Sequence, residues 1–331
     1  MECKSKLAIL ISGSFSGDED NADPYSLLRY LPEDLAKHCE LIEWSCQPSS
    51  HYSMPLMLEM SDMFNTLIEK DYAGIIVISG TGVMSEMSYM ADLLWQNPEP
   101  VIFANLMVKG RAGLEEGLKN LNCSVLAALS PEAQNIGVLV CSSGELFAAS
   151  DVVMIDPLSQ DNIFQSVRKG SLGKMINGNI SFTRTNCRPE FLARRPERIP
   201  LVEIVTASMG GGEKAIAAIS NDKEIEGFVL SGFGTGNILP SWVPHVRNLI
   251  RRRVPVAIVS RCFQGQVAKT GLFEGSFAKL VDMGVLSGGK LSANQARIRM
   301  SLGIGAGLTE LGLSLYLLNK PVCDDTPALY K

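Results

Sequence analysis

Residues 72–94 read YAGIIVISGTGVMSEMSYMADLL, and the order of residue types along them decides the fold class. Ala73 to Ile78 is a continuous apolar run rich in β-branched residues, the pattern of a strand covered on both faces. Ser79-Gly80-Thr81-Gly82 interrupts it with turn residues, and from Ser85 to Leu94 apolar residues recur at helical spacing. Strand, glycine-rich turn and helix in that order are half of a βαβ unit. In an open parallel sheet ligands bind beyond the carboxyl ends of the strands. The turn is therefore a candidate site, and the helix amides behind it could hold a carboxylate or an oxyanion.

Outward from this segment the same pattern repeats. Strands are expected at Leu7–Ile11, Cys39–Trp44, Val101–Ala104, Ile136–Cys141, Leu201–Thr206, Phe228–Ser231 and Pro255–Ser260. Helices are expected at Pro55–Glu69, Gly113–Leu129, Gly212–Ile219, Pro240–Arg252, Ser292–Leu302 and Leu308–Leu317. The first strand also runs into small hydroxyl residues, Ser12-Gly13-Ser14, followed by the acidic Asp18-Glu19-Asp20. Between Cys187 and Pro200 the chain reads CRPEFLARRPERIP, a polar, turn-rich stretch of linker character. These features predict an α/β protein. A larger N-terminal domain (1–188) carries a mixed or parallel sheet, 189–199 form a linker, and a smaller parallel-sheet domain spans 200–331.

The 331 residues are 46% hydrophobic and 20% charged, which excludes a disordered or fibrous chain. The net charge is −5 and the basic residues are dispersed, so no nucleic-acid partner is expected. The most apolar stretch, Leu302 to Leu318, is broken by Thr309 and Glu310, and no membrane span is expected. The first residues lead into a strand, not into a signal peptide. Eight cysteines without a Cys-x-x-Cys pair signal neither a zinc ribbon nor a redox motif and suit reduced thiols in the cytoplasm. Three dispersed histidines, His38, His51 and His245, support neither a metal site nor a Ser-His-Asp triad. The run Met209 to Lys214 lacks the ending of a phosphate-binding loop. The third glycine of the Gly232-x-Gly234-x-Gly236 run comes one residue too early for a dinucleotide fingerprint. No cofactor or metal is expected, and the substrate class is a small molecule.

Taken together, LAILISGSFSG at Leu7 to Gly17, the segment Tyr72 to Leu94, PVIFANLMVKGRAGLEEGLKNL at Pro100 to Leu121, and the C-terminal segments GFVLSGFGTGNILP, VPVAIVSRCFQGQV and GVLSGGKLSANQARIRMSLGIG resemble the two-domain asparaginase/glutaminase family. The resemblance implies an amidohydrolase acting on a side-chain carboxamide through a hydroxyl nucleophile. It also implies a homodimer or homotetramer with sites at the dimer interface. Ser14 matches the family's first threonine and Thr81 its second. Ser49 or Ser50 corresponds to the serine that grips the substrate, and Gly13 and Gly80 match glycines of close backbone approach. Tyr25 and Tyr30 lie where the family brings a tyrosine over the nucleophile.

Several positions depart from the family pattern. Ser79 stands for its histidine, Gly82 for its aspartate, Val83 for the following threonine and Met154 for its lysine. Ala104-Asn105-Leu106-Met107 replaces Thr-Gly-Ala-Met. Losing that carboxylate and lysine removes charge-assisted contacts of about 1.5–3 kcal/mol each. The departures predict a substrate altered from free asparagine, with Lys109, Glu86, Glu115 and Glu116 as substitute charges. They also motivate an alternative, a repurposed member with non-hydrolytic chemistry or a ligand-binding homologue without turnover.

Overall fold

The computed structural model describes residues 5–13, 28–106, 110–159, 162–166, 168–184, 188 and 191–320. Ser14, Tyr25 and Lys109 lie outside them. The chain divides into two compact units between Phe191 and Leu192.

The first unit is built on eight strands in the order β10-β9-β6-β5-β4-β3-β1-β2. These are β1 (Leu7–Ser12), β2 (Cys39–Ser45), β3 (Gly74–Ser79), β4 (Val101–Asn105), β5 (Val138–Ser142), β6 (Glu145–Ala148), β9 (Gly173–Ile176) and β10 (Asn179–Phe182). Strands β2, β1, β3, β4 and β5 pair in parallel, and β6, β9 and β10 continue the sheet antiparallel. β1, β3, β4 and β5 are buried along their whole length, as their unbroken apolar runs require.

One face carries Leu7, Ile9, Ile76, Ile78, Ile102, Ala104 and Leu139 against Leu121, Val125 and Ala128 of α4 (Gly110–Leu129). On the other face Phe103 meets Phe64 of α2 (Met54–Glu69), which also sets its edge against Trp95 just after α3 (Met84–Leu94). A short helix, α1 (Glu33–Ala36), precedes β2. A separate two-stranded pair, β7 (Val152–Met154) and β8 (Phe164–Ser166), is antiparallel.

The second unit holds a four-stranded sheet in sequential order, β11 (Val202–Thr206), β12 (Gly227–Gly232), β13 (Val256–Ser260) and β14 (Leu286–Ser287), all parallel. Phe228, Leu230, Val256 and Ile258 pack on one face with Ile216 of α5 (Glu213–Asn221), Val246 and Leu249 of α6 (Val243–Arg251) and Leu280 of α7 (Phe277–Asp282). Val202, Val229, Ala257 and Val259 pack on the other with Met300 of α8 (Ala293–Gly305) and Leu313 of α9 (Glu310–Leu317). A capping box between Ser292 and Gln295 starts α8. A large mixed sheet followed by a small all-parallel one is the expected architecture.

The differences lie in short elements. Strands β6 to β10, β14 and helices α1 and α7 are too short to show a hydrophobic period. The 240–252 segment opens as a 3-10 turn over Pro240–Trp242 before α6. The β5–β6 and β9–β10 hairpins turn on Ser143-Gly144 and Asn177-Gly178, all four at positive φ, the two-residue turns that match the strand twist.

Candidate functional site

The strand order 2-1-3-4-5 places a topological switch point between β1 and β3, because the chain leaves β1 to one side for β2 and returns on the other as β3. A crevice forms there. Gly13, just past β1, donates its N–H to the Ser45 carbonyl (2.8 Å) and lies so close to β3 that an added Cβ would meet Gly80 N at 3.1 Å. Beyond β3, Gly80 leads into a 3-10 turn over Thr81–Val83, which runs directly into α3.

The β2–α2 connection folds over the same crevice. Pro48 starts a 3-10 turn at Ser49–His51, and Ser53 caps α2 by accepting a hydrogen bond from Leu56 N. This turn sets Ser49 against the β3 loop: a Cβ on Gly80 would stand 2.9 Å from Ser49 Cβ and Oγ, and one on Gly82 3.1 Å from Ser49 Oγ. Tyr52 follows, its hydroxyl 2.5 Å from Ser12 Oγ. Of the two serines weighed for substrate contact, Ser49 thus faces the crevice and Ser50 is exposed. Thr81 is half-buried, Ser79 is buried and Gly82 is exposed. Ser14 directly follows Gly13 and, with Tyr25, lies outside the described residues.

A polar row runs along the carboxyl edge of the sheet. Ser12 is in register with Ser79, and Ser79 with Asn105; one step over, Ser142 ends β5, whose Cys141 pairs with Ala104. All four side chains are buried. Ser12 has Tyr52, whereas Asn105 Oδ1 and Ser142 Oγ have no hydrogen-bond partner among the described residues. A buried polar group left in that state costs about 1–3 kcal/mol. The strand ends that carry them are nonetheless held firmly. Asn120 on α4, fully buried, donates Nδ2–H to the Asn105 carbonyl (3.0 Å) and accepts Gly144 N–H at Oδ1 (2.8 Å). Sequence reasoning passed over Ser12, Tyr52, Asn105 and Ser142. The available signal was a polar residue closing each of three buried apolar strands.

The crevice groups named here are hydroxyls and a carboxamide, with neither a carboxylate nor an ammonium among them. Met154 ends β7 and pairs with Phe164. Burial pushes buried Cys141 well above the ordinary thiol range and half-buried Cys39 up to about 11, which suits neither as a nucleophile. Cys46 and Cys262 are exposed. Among the described residues no group of three or more His, Cys, Asp or Glu could hold a metal, and no helix is long and apolar enough to cross a membrane. In the second unit Gly232 to Asn237 closes as a tight turn, with Phe233 N–H donating to the Asn237 carbonyl (2.8 Å).

The matching family models cover nearly the whole chain: the asparaginase N-terminal domain over residues 12–188 and the glutaminase/asparaginase C-terminal domain over 201–311. The chain belongs to the asparaginase family. It is 24% identical over 301 residues to an L-asparaginase of Bacillus licheniformis, covering 90% of each protein. To L-asparaginase 2 of Escherichia coli it is 27% identical over 252 residues, 75% of this chain and 70% of that one. The crystal structure of a probable cytoplasmic L-asparaginase from Campylobacter jejuni superposes with a TM-score of 0.83 at 22% identity, over 96% of this chain and all of that one. Within the asparaginase family's fold, the switch-point crevice is where Gly13, at the end of β1, meets the loop that bears Thr81.

Near Met154 the β7–β8 pair is anchored by a buried carboxylate. Asp151 accepts hydrogen bonds from the Ser166 hydroxyl, Arg168 Nε (2.9 Å) and Lys169 N (3.0 Å). Burial pushes the carboxyl up, but these donors together outweigh it, so its pKa falls below the ordinary value. A depressed carboxyl stabilises the fold fully above the unfolded pKa of about 3.9 and loses that effect as pH falls through the lower folded value. Asp151→Asn is therefore expected to lower the melting temperature at pH 7 and to flatten its decline below about pH 4. Thermal melts across pH check this; acid limbs of equal slope in the two proteins would contradict it.

Proposed function

We propose that this protein is an amidohydrolase of the asparaginase type acting on a side-chain carboxamide, with Ser14 as nucleophile and Thr81 as the second hydroxyl. The observation that carries the reading is the approach of Gly13 to Gly80 with Ser49 seated against Gly80 and Gly82. It joins the loop that runs into Ser14 to the loop that bears Thr81. Acyl transfer from an amide needs a hydroxyl to attack the carbonyl carbon, a base to take its proton and donors for the oxyanion. Thr81 and the amides of the 3-10 turn at the start of α3 are the proposed second hydroxyl and oxyanion donors. Ser49, Ser79, Gly80 and Gly82 line the substrate cleft. The domains acting together are 1–188 and 200–331, joined by 189–199.

The test is ammonia release from asparagine, glutamine and short amide-bearing peptides. Turnover on an asparagine derivative supports the reading, and no turnover on any of them defeats it. A second reading, a repurposed or purely ligand-binding member, is favoured by Gly82 and Met154 standing where the family has aspartate and lysine. Saturable binding of an amide without ammonia release would select it.

In the second unit Met209, Leu272, Phe263 and Phe273 are 96%, 77%, 61% and 53% exposed, and Met209 and Phe263 follow β11 and β13 at the carboxyl edge. Such an apolar rim suits burial against a second copy. A homotetramer, built from dimers that close each other's sites, is expected by size-exclusion chromatography with light scattering; a monomer at micromolar concentration would contradict it. Free cysteines among the described residues support a reducing, cytoplasmic setting.

A further inference from the structure

Asn105 and Ser142 close adjacent strands, on the sheet face covered by α2 and α3, and each buries a polar atom that nothing among the described residues satisfies. Their placement is fixed, since Asn120 ties the Asn105 carbonyl to the β5–β6 turn through Gly144. Asn105 also stands where the family pattern has glycine, so this carboxamide is this chain's own feature. It is one strand from Ser79, a spacing of about 5 Å, and two from Ser12.

We propose that Asn105, backed by Ser142, is a specificity-determining residue that receives the carboxamide end of the substrate and discriminates it from the corresponding acid. This rests on the reading of the protein as acting on carboxamides. A primary amide meets Asn105 from the crevice side. Its N–H donates to Asn105 Oδ1, and its carbonyl stays toward β3 and the 3-10 turn amides that serve the oxyanion. A carboxylate has no N–H, and sets an acceptor against Asn105 Oδ1. Asn105 thus favours the amide over the acid that hydrolysis yields, and it lets the product leave.

Calorimetric binding on the full chain carrying Ser14→Ala tests this with asparagine, glutamine and N-acetylasparagine, each against its acid. At least one amide is expected to bind about tenfold or more tightly than its acid. Asn105→Gly and Asn105→Ala should bring that ratio close to one by weakening the amide, and Ser142→Ala should reduce it less. Circular dichroism and melting temperature establish that each variant is folded. If Asn105→Ala unfolds, Asn105→Leu, which removes the acceptor but keeps the volume, takes its place and is likewise expected to bring the ratio close to one. A ratio unchanged in a folded Asn105 variant overturns the proposal, as does the absence of binding by every amide. Ammonia release by the unsubstituted protein is followed separately. No release, with an amide preference that depends on Asn105, defeats the hydrolase reading and leaves the recognition site standing. Release with no such dependence does the reverse.

Discussion

Ser14→Ala is expected to reduce ammonia release by about three orders of magnitude or more, the range seen when a covalent nucleophile is removed. With Ser14 as the proposed nucleophile, its hydroxyl oxygen is the atom that bonds the amide carbon. Gly13 cannot move freely, because its N–H is bound to Ser45 and its Cα faces Gly80. Ser12, two residues back, is fully buried and engaged with Tyr52, so it is no substitute nucleophile. The variant's melting temperature should stay close to that of the unsubstituted protein, which separates lost chemistry from lost folding. Comparison with Thr81→Ala assigns the order of the two hydroxyls. If Ser14→Ala keeps most of its turnover while Thr81→Ala loses it, Thr81 is the nucleophile.

The second large effect is expected from Gly80→Val. A Cβ here would stand 2.9 Å from both Cβ and Oγ of Ser49, inside any ordinary contact. Rotating the serine does not relieve the clash, because Ser49 Cβ is fixed to the backbone of its 3-10 turn. The turn itself must retreat. Tyr52 is only three residues further along it, so the displacement reaches the Ser12 contact as well. A shift of about 1 Å in positioning groups costs on the order of a hundredfold in kcat/KM, and overpacking adds about 1–3 kcal/mol of destabilisation. Steady-state kinetics and urea unfolding measure the two effects. A variant with activity within threefold of the unsubstituted protein would mean that Ser49 and Gly80 do not shape the site together.

Much of the fold was legible because its signals are local and repeated. Each buried parallel strand appears as an unbroken apolar run, each following helix as a 3.6-residue period, and the carboxyl-end loops as clusters of Gly, Ser and Thr. The short antiparallel strands β6, β9 and β10 were missed, although Asn177-Gly178 is a recognised hairpin turn, because four-residue strands with mixed polarity carry no period of their own. Gly13, Gly80 and Thr81 are legible as members of small-residue loops at strand ends. The choice between Ser49 and Ser50 stayed open, since adjacent serines in a turn are equivalent until the turn's direction is known. Tyr52, Asn105 and Ser142 escaped because each is an ordinary residue at its own position.

By itself, then, the sequence determined that this chain alternates strands and helices in two domains, and which loops bear hydroxyls at strand ends. Those properties depend on residue type and spacing within a few positions. Only the tertiary structure decided that β1 and β3 are neighbours while β2 lies outside them, that Ser49 and Tyr52 reach the crevice from a third loop, and that Asn105 and Ser142 fall in line with Ser79. Strand order and register bring together residues 26 to 130 positions apart. That juxtaposition arises from burial of the apolar faces and hydrogen-bond pairing of the strands, cooperative terms summed over a whole unit.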